Sequence, residues 1–159
     1  RGRTIGMDLF QAMQISASGR QAQRVRMNLL STNLANVNST KTPEGGPFRR
    51  KDVFFQASAL EKVTGRRDQT IFRASFEDEL ERQIQGVEVS RIVQDRRPPR
   101  MVYDPAHPEA NEDGYVALPN INSISEMVSM INATRSYEAG VTAINAAKDM
   151  INKALTIGR

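Results

Sequence analysis

Apolar residues recur at alternating steps of four and three at both ends of the chain, and this pattern is missing from the middle. A repeat of about 3.5 residues keeps one line of side chains facing a partner along a whole helix. The pattern therefore predicts two long terminal helices that pair as a coiled coil. The repeating positions are Leu9, Met13, Ser16, Arg20, Gln23, Met27, Leu30, Leu34 and Val37 in the first stretch, and Met127, Met130, Thr134, Tyr137, Val141, Ile144, Lys148, Ile151 and Leu155 in the last.

Capping residues and helix breakers set the expected ends of these helices. Asp8 is a good N-cap, so the first helix is predicted to begin there and to run to about Asn36. Asn, Ser, Pro and Gly then follow at high density up to Pro47, which predicts a loop. The last helix is predicted to begin at a capping box over 123–126, in which Glu126 would reach back to the cap, and to continue almost to Gly158.

The middle of the chain changes to a strand-like pattern. Residues 52–56 and 87–93 are β-branched or aromatic with partial alternation, and a tight turn at 113–114 precedes a further strand. A short helix is predicted at 75–84. The expected fold is therefore mainly α with a small β-rich middle module. A terminal coiled-coil domain combines 7–37 with 121–158, and a loop-rich β module occupies 38–120.

Composition indicates a chain that needs partners to cover its apolar surface. Only 39% of the 159 residues are hydrophobic, and tryptophan is absent. A small chain that buries little by itself is expected to complete its core with neighbours. No apolar run approaches the roughly 20 residues that span a bilayer, and no signal-peptide pattern is present. Because there is no cysteine, disulfides and thiolate metal sites are excluded.

Candidate catalytic groups are sparse and poorly placed. His107 is the only histidine and lies in a predicted loop, where one imidazole cannot build a zinc site without further ligands. The acidic run Glu77, Asp78, Glu79 and Glu81 is expected to form a solvated helix face. Phosphate-binding loops and nucleophile elbows are missing from the sequence. We therefore expect a protein that is not an enzyme and has no catalytic, cofactor or metal site.

Basic clusters support one alternative. The net charge is +4, and clusters occur at 49–51, at 66–67 and at 96–97 with Arg100. Such clusters would allow a basic coiled-coil adaptor that binds nucleic acid. However, the clusters lie in the middle module rather than along one helix, and few aromatic residues are available to stack on bases. This distribution favours a structural polymer that binds no nucleic acid.

Motifs at both ends resemble those of bacterial flagellar rod and hook proteins. The run Ser-Thr-Asn-Leu-Ala-Asn-Val-Asn at 31–38 is similar to the signature that ends the first helix of that family. Residues 130–139, 147–150 and 155–158 resemble its C-terminal helix, and 43–56, 103–105 and 113–120 resemble its proximal-rod branch. The resemblance covers 7–56 and 87–158, and it leaves a probable insert at 57–86.

The resemblance implies a structural subunit of the proximal rod, the drive shaft that transmits motor torque to the hook. In this family the terminal helices form an inner helical tube that encloses the export channel. The implied partners are other proximal and distal rod subunits, further copies of the chain in a helical assembly, and the flagellar type III export apparatus. The implied location is the basal body within the periplasm, reached without a cleaved signal peptide or a membrane span. The predicted assembly interface comprises Leu9, Met13, Met27, Leu30, Asn33, Leu34, Asn36, Met127, Met130, Tyr137, Val141, Ile144, Ile151 and Leu155.

Overall fold

Along the described part of the chain, a long helix comes first, four strands follow, and a second long helix comes last. The computed structural model describes residues 2–59 and 85–157, so the predicted helix at 75–84 and the arginine pair at 66–67 lie outside the described residues. The predicted class, mainly α with a small β module, is confirmed. The elements are α1 (Gly2–Ala35), β1 (Lys51–Ala59), β2 (Gln85–Gln94), β3 (Arg100–Tyr103), β4 (Tyr115–Leu118) and α2 (Ser123–Ile157).

Helix α1 begins earlier than predicted and ends where expected. It starts at Gly2, so Asp8 lies inside the helix and the prediction of an N-cap at that position is wrong. A capping residue marks a helix start only when the residues before it cannot continue the helix, and nothing in Arg3–Gly6 prevents this. At the other end, the Asn36 side-chain amide donates to the Thr32 carbonyl at 2.8 Å. The Asn36 backbone N–H donates to the same carbonyl at 3.2 Å, so Asn36 closes the last turn of the helix with both its backbone and its side chain.

Helix α2 is capped by a different residue from the one predicted. The Asn122 side-chain oxygen accepts from the backbone N–H groups of Ile124 at 3.0 Å and Ser125 at 3.1 Å. The predicted capping box over 123–126 is therefore wrong. The Glu126 carboxylate turns away from the helix start and pairs with Arg50. A charged partner binds a buried carboxylate more strongly than a backbone N–H group does.

The strands form two separate two-stranded sheets. β1 pairs with β2, and both strands are longer than predicted. β3 pairs antiparallel with β4, with Arg100 opposite Leu118 and Tyr103 opposite Tyr115. Gly114 has a φ of +77° at the turn before β4, and its position agrees with the predicted tight turn. β3 was not predicted, because four residues between Pro99 and Asp104 are too few to show a period.

The chain divides into two compact units. One contains Arg1–Ala22, Phe55–Glu88 and Tyr137–Arg159, and the other contains Gln23–Phe54 and Val89–Ser136. Among the described residues, the buried apolar side chains are few and mostly small. They are Ala22 and Ala147 in the first unit, and Leu30, Val116, Ile121 and Ala133 in the second.

Candidate assembly surface

A buried polar cluster joins α1, β1 and α2 within the second unit. We call Asn33, Arg50, Lys51, Asp52 and Glu126 the Glu126 cluster. The Asn33 amide donates to the Lys51 carbonyl at 2.8 Å and to Glu126 Oε2 at 3.0 Å, and Asn33 Oδ1 accepts from the Lys51 N–H at 2.9 Å. Asn33 is 0% exposed and Glu126 is 2% exposed. Because buried polar groups must be hydrogen-bonded, this cluster fixes the end of α1 against the start of α2.

Arg50 supplies the positive charge of this cluster. Its Nε donates to Glu126 Oε1 at 2.6 Å, and its Nη1 donates to Asp52 Oδ2 at 2.8 Å. Burial lowers the pKa of the Arg50 guanidinium, but its bonds to Asp52 and Glu126 outweigh burial and raise the pKa overall. Burial likewise raises the pKa of the Asp52 carboxyl, while the Arg50 hydrogen bond and the Val53 N–H bring it below its ordinary value. Both groups are therefore held in their charged forms.

The two helices also contact each other within each unit. In the second unit the Thr134 hydroxyl lies 3.5 Å from the Met27 sulfur, near the buried Leu30 and Ala133. In the first unit Gly140 faces Ser16 and Arg20, and a Cβ placed on Gly140 would lie 3.6 Å from the Ser16 carbonyl oxygen. A Cβ at Gly140 would therefore make an ordinary van der Waals contact with α1.

The fully buried positions of α2 lie one residue before the predicted line of contact. Glu126, Ala133 and Ala147 are buried, whereas the predicted positions Met127 and Lys148 are exposed and Thr134 is half-buried. Glu126 reaches α1 through its bond with Asn33, whereas Ala133 and Ala147 are known to be buried. The predicted apolar residues flank this line. Met130, Tyr137, Val141, Ile144 and Ile151 are half-buried, and Leu155 is exposed.

Helix α1 places its predicted interface residues in a similar way. Leu30 and Asn33 are buried within the chain, and Met13, Met27, Leu34 and Asn36 are half-buried. The side chain of Leu9 lies outside the described residues. The half-buried residues leave apolar surface for a further neighbour. Their role in contacts between subunits stays a prediction.

A second apolar line on α2 faces solvent. Ile124, Met127, Val128 and Ile131 are 69%, 44%, 53% and 54% exposed, and we call these four residues the outer stripe. Their spacing of three, four and seven residues places them on one face of the helix. At 3.6 residues per turn, this face lies roughly opposite the one that carries Glu126 and Ala133. Of these four, only Met127 was among the residues predicted from the sequence, although the same spacing is visible there.

The remaining polar groups form local structure. The His107 ring nitrogen Nδ1 accepts from the Glu109 N–H at 3.1 Å, within a loop. The Arg97 side chain and N–H bind the Asp95 carboxylate, and these bonds lower the pKa of Asp95. Over residues 2–59 and 85–157, no group of three or more His, Asp or Glu side chains could hold a metal ion. In the same ranges, no helix has the length and apolarity needed to cross a membrane.

An open cavity of about 480 Å³ lies beside the loop between α1 and β1. Its charged lining residues are Glu44, Arg49 and Lys51, and Phe48 and Pro43 supply apolar surface. Glu44 and Arg49 are exposed, so these charges stay in water instead of being enclosed in a site. The exposed apolar helix face is therefore the feature of the described chain that points most directly to a function.

Comparison with known proteins agrees with an assembly role. The family model for the C-terminal region of flagellar basal body rod FlgEFG proteins matches residues 112–157. The flagellar basal-body rod protein FlgC of Borreliella burgdorferi is 41% identical over 157 residues, covering 95% of this chain and 98% of its own length. FlgC of Bacillus subtilis is 41% identical over 164 residues, covering 96% of this chain and 100% of its own. FlgC of Salmonella typhimurium is 34% identical over 154 residues, with coverage of 96% and 100%.

Proposed function

The chain belongs to the FlgC family of flagellar basal-body rod proteins and is a structural subunit of the rod, and we propose that its two terminal helices form the load-carrying inner wall of that rod. In this proposal α1 and α2 pair as a coiled coil, copies assemble into a helical tube around the export channel, and the β module lies outside. Torque is then carried by many packed side chains in parallel, which gives a stiff shaft.

The observation that carries this proposal is the contrast between the two sides of α2. One side contacts α1 through Glu126, Thr134 and Gly140. The other carries the exposed outer stripe, an amount of apolar surface on a single helix that indicates a protein partner. The inner side holds the two helices of one subunit together, and the outer side is available to neighbouring subunits.

The proposed partners follow from this arrangement and from the family. They are other rod subunits on the proximal and distal sides, further copies of this chain, and the flagellar type III export apparatus during secretion. The proposed location is the rod within the periplasm, and the proposed route is export without a cleaved signal peptide. The absence of cysteine is compatible with passage into an oxidising compartment.

Two of the arginines that would support the nucleic-acid alternative are paired with carboxylates of the same chain. Arg50 is bound by Glu126 and Asp52, and Arg97 is bound by Asp95. Arginines that are neutralised by carboxylates of their own chain offer little to a phosphate backbone. The rod proteins match nearly the whole chain, which also favours the rod function. We therefore do not propose a nucleic-acid-binding adaptor.

The test is complementation of a deletion strain. Cells lacking this chain should fail to swim and should lack complete rods, and the wild-type gene should restore both. Ile144→Asp should not restore them, because Ile144 is half-buried on α2 and a carboxylate there would be desolvated without a partner. The matched control is Asn145→Asp, which adds the same charge at the exposed neighbouring position. Normal rods in the deletion strain would refute the proposed function, and normal rods with Ile144→Asp would refute the helix pairing.

A further inference from the structure

The repeating pattern of the two helices does not by itself fix their axial register, that is, how far one helix is shifted along the other. Positions of the same kind recur every seven residues along α2, so α1 meets equivalent side chains after a shift of one heptad, about 10 Å. The Met27 sulfur lies 3.5 Å from the Thr134 hydroxyl. After such a shift Met27 would meet Val141, which is also half-buried. The apolar pattern therefore accommodates more than one register.

The covalent connection after α1 does not fix the register either. Residues 36–50 separate α1 from β1. An extended chain advances about 3.3 Å per residue, so a segment of this length can follow α1 through a shift of about 10 Å. The register of α1 must therefore come from contacts that do not repeat along α2.

The Glu126 cluster supplies contacts of that kind within the second unit. The Asn33 side chain binds both the N–H and the carbonyl of Lys51, and its amide donates to Glu126 Oε2 at 3.0 Å. The later buried residues in the same heptad position of α2 are Ala133 and Ala147, which have no polar side-chain atom. After a shift of one heptad, Asn33 would face Ala133 in place of Glu126. Leaving a buried polar group without its partners is costly, so the shifted register is disfavoured.

We propose that Asn33 sets the axial register of α1 against α2 in the second unit, through its bonds to Glu126 and Lys51, while the apolar residues of the helices supply cohesion. A single buried polar residue is a well-attested way in which paired helices select one alignment. Asn33 meets this condition because it is 0% exposed and all three of its bonds cross to other elements. The register is a property of one chain, so its test is separate from the test of the rod function.

Paired cysteines measure the register directly, because the chain contains no other thiol. Met27→Cys/Thr134→Cys detects the register of the structure, and Met27→Cys/Val141→Cys detects a shift of one heptad. All three positions are half-buried. The full-length chain is treated in dilute solution with a bifunctional thiol reagent that is shorter than the roughly 10 Å of one heptad along a helix. Mass spectrometry of the monomer fraction then gives the yield of each intramolecular cross-link.

Each cysteine pair is placed in the wild-type chain and in three variants. Asn33→Leu removes the polar group and keeps a side chain of similar size. Asn28→Leu is the matched control, because Asn28 is an exposed asparagine on the same helix. Asn33→Leu/Arg50→Met/Glu126→Leu replaces the buried ion pair as well, a change that is often neutral or stabilising. This apolar variant decides the question if Asn33→Leu alone does not fold.

In the wild-type chain and in Asn28→Leu, the Thr134 pair should give several-fold more product than the Val141 pair. In Asn33→Leu, or in the apolar variant, the yield of the Val141 pair should rise several-fold while circular dichroism shows that the helices remain. A fall of both products in a variant that keeps its helices would overturn the proposal, because Asn33 would then only stabilise the fold. An unchanged ratio of the two products in both variants, or a wild-type chain without a preference, would overturn it too.

Discussion

Arg50 and Glu126 depend on each other unequally, and this asymmetry gives a quantitative prediction. Glu126 is almost fully buried, and its charged partner is Arg50. Arg50 has a second carboxylate, because Asp52 lies 2.8 Å from its Nη1 and is half exposed. Removing the arginine therefore leaves a buried carboxylate without its charged partner. Neutralising the glutamate leaves a partly exposed guanidinium that keeps an ion pair.

The two substitutions should differ by about 2 kcal/mol in the free energy of unfolding. Breaking a buried ion pair by removing one partner costs roughly 3–5 kcal/mol. The Arg50 side chain is 22% exposed, so water can partly replace it, and we expect Arg50→Met to cost about 3 kcal/mol. Glu126→Gln keeps the shape and one acceptor, for Asn33, while its amide N–H group faces the Arg50 Nε–H. Because the Arg50 side chain is 22% exposed and can be hydrated, this change should cost about 1 kcal/mol.

The measurement is urea unfolding of the purified chain at pH 7, followed by circular dichroism at 222 nm. Arg49→Met is the matched control, because Arg49 is exposed next to Arg50, and it should stay within about 0.5 kcal/mol of wild type. In the double variant Arg50→Met/Glu126→Gln, the loss of unfolding free energy should be smaller than the sum of the two single losses. The reason is that Glu126→Gln removes the carboxylate that Arg50→Met would leave unpaired. A Glu126→Gln cost equal to or above that of Arg50→Met would refute the reasoning.

Three further predictions concern helix packing, a turn and pH. Gly140→Ala should stabilise the chain by up to about 1 kcal/mol, because alanine favours a helix more than glycine does. The added Cβ would meet its nearest atoms at 3.6 and 3.7 Å, an ordinary contact distance, so no clash should cancel the gain. A lowered melting temperature would contradict this. Gly114→Ala should destabilise the chain more than Gly46→Ala. Both residues have positive φ, but only at Gly114 would the Cβ meet other atoms, with Tyr103 at 3.0 Å; equal melting temperatures would show that the contact is harmless. The pKa of Asp95 is lowered in the folded chain, so its contribution to stability is complete above the ordinary value of 3.8 and is lost as pH falls through the lower folded value. Asp95→Asn should therefore flatten the decline in stability below about pH 4, measured by urea unfolding across pH, and an unchanged decline would exclude Asp95 as a cause.

The sequence by itself determined the elements that depend on neighbours along the chain. The repeat of about 3.5 residues predicts both helices, since side chains three and four apart share a helix face without help from the rest of the fold. Alternation in β1 and β2, and Gly114 at its turn, are local signals of the same kind. The motifs that resemble rod proteins are also stretches of consecutive residues, so they can be recognised before any folding is considered.

Only the tertiary structure decided which residues meet across the chain. Glu126 looks locally like a member of a capping box, yet its partners Arg50 and Asn33 lie 76 and 93 positions away. A buried ion pair formed over that distance outweighs a local hydrogen bond, and no periodicity encodes it. The position of the buried line at Glu126, Ala133 and Ala147 also depends on tertiary packing, because burial is decided by what packs against a helix face and not by the apolar character of its residues alone. The pairing of β3 with β4 also depends on a partner strand, so four residues without a visible period become a strand only in the folded chain.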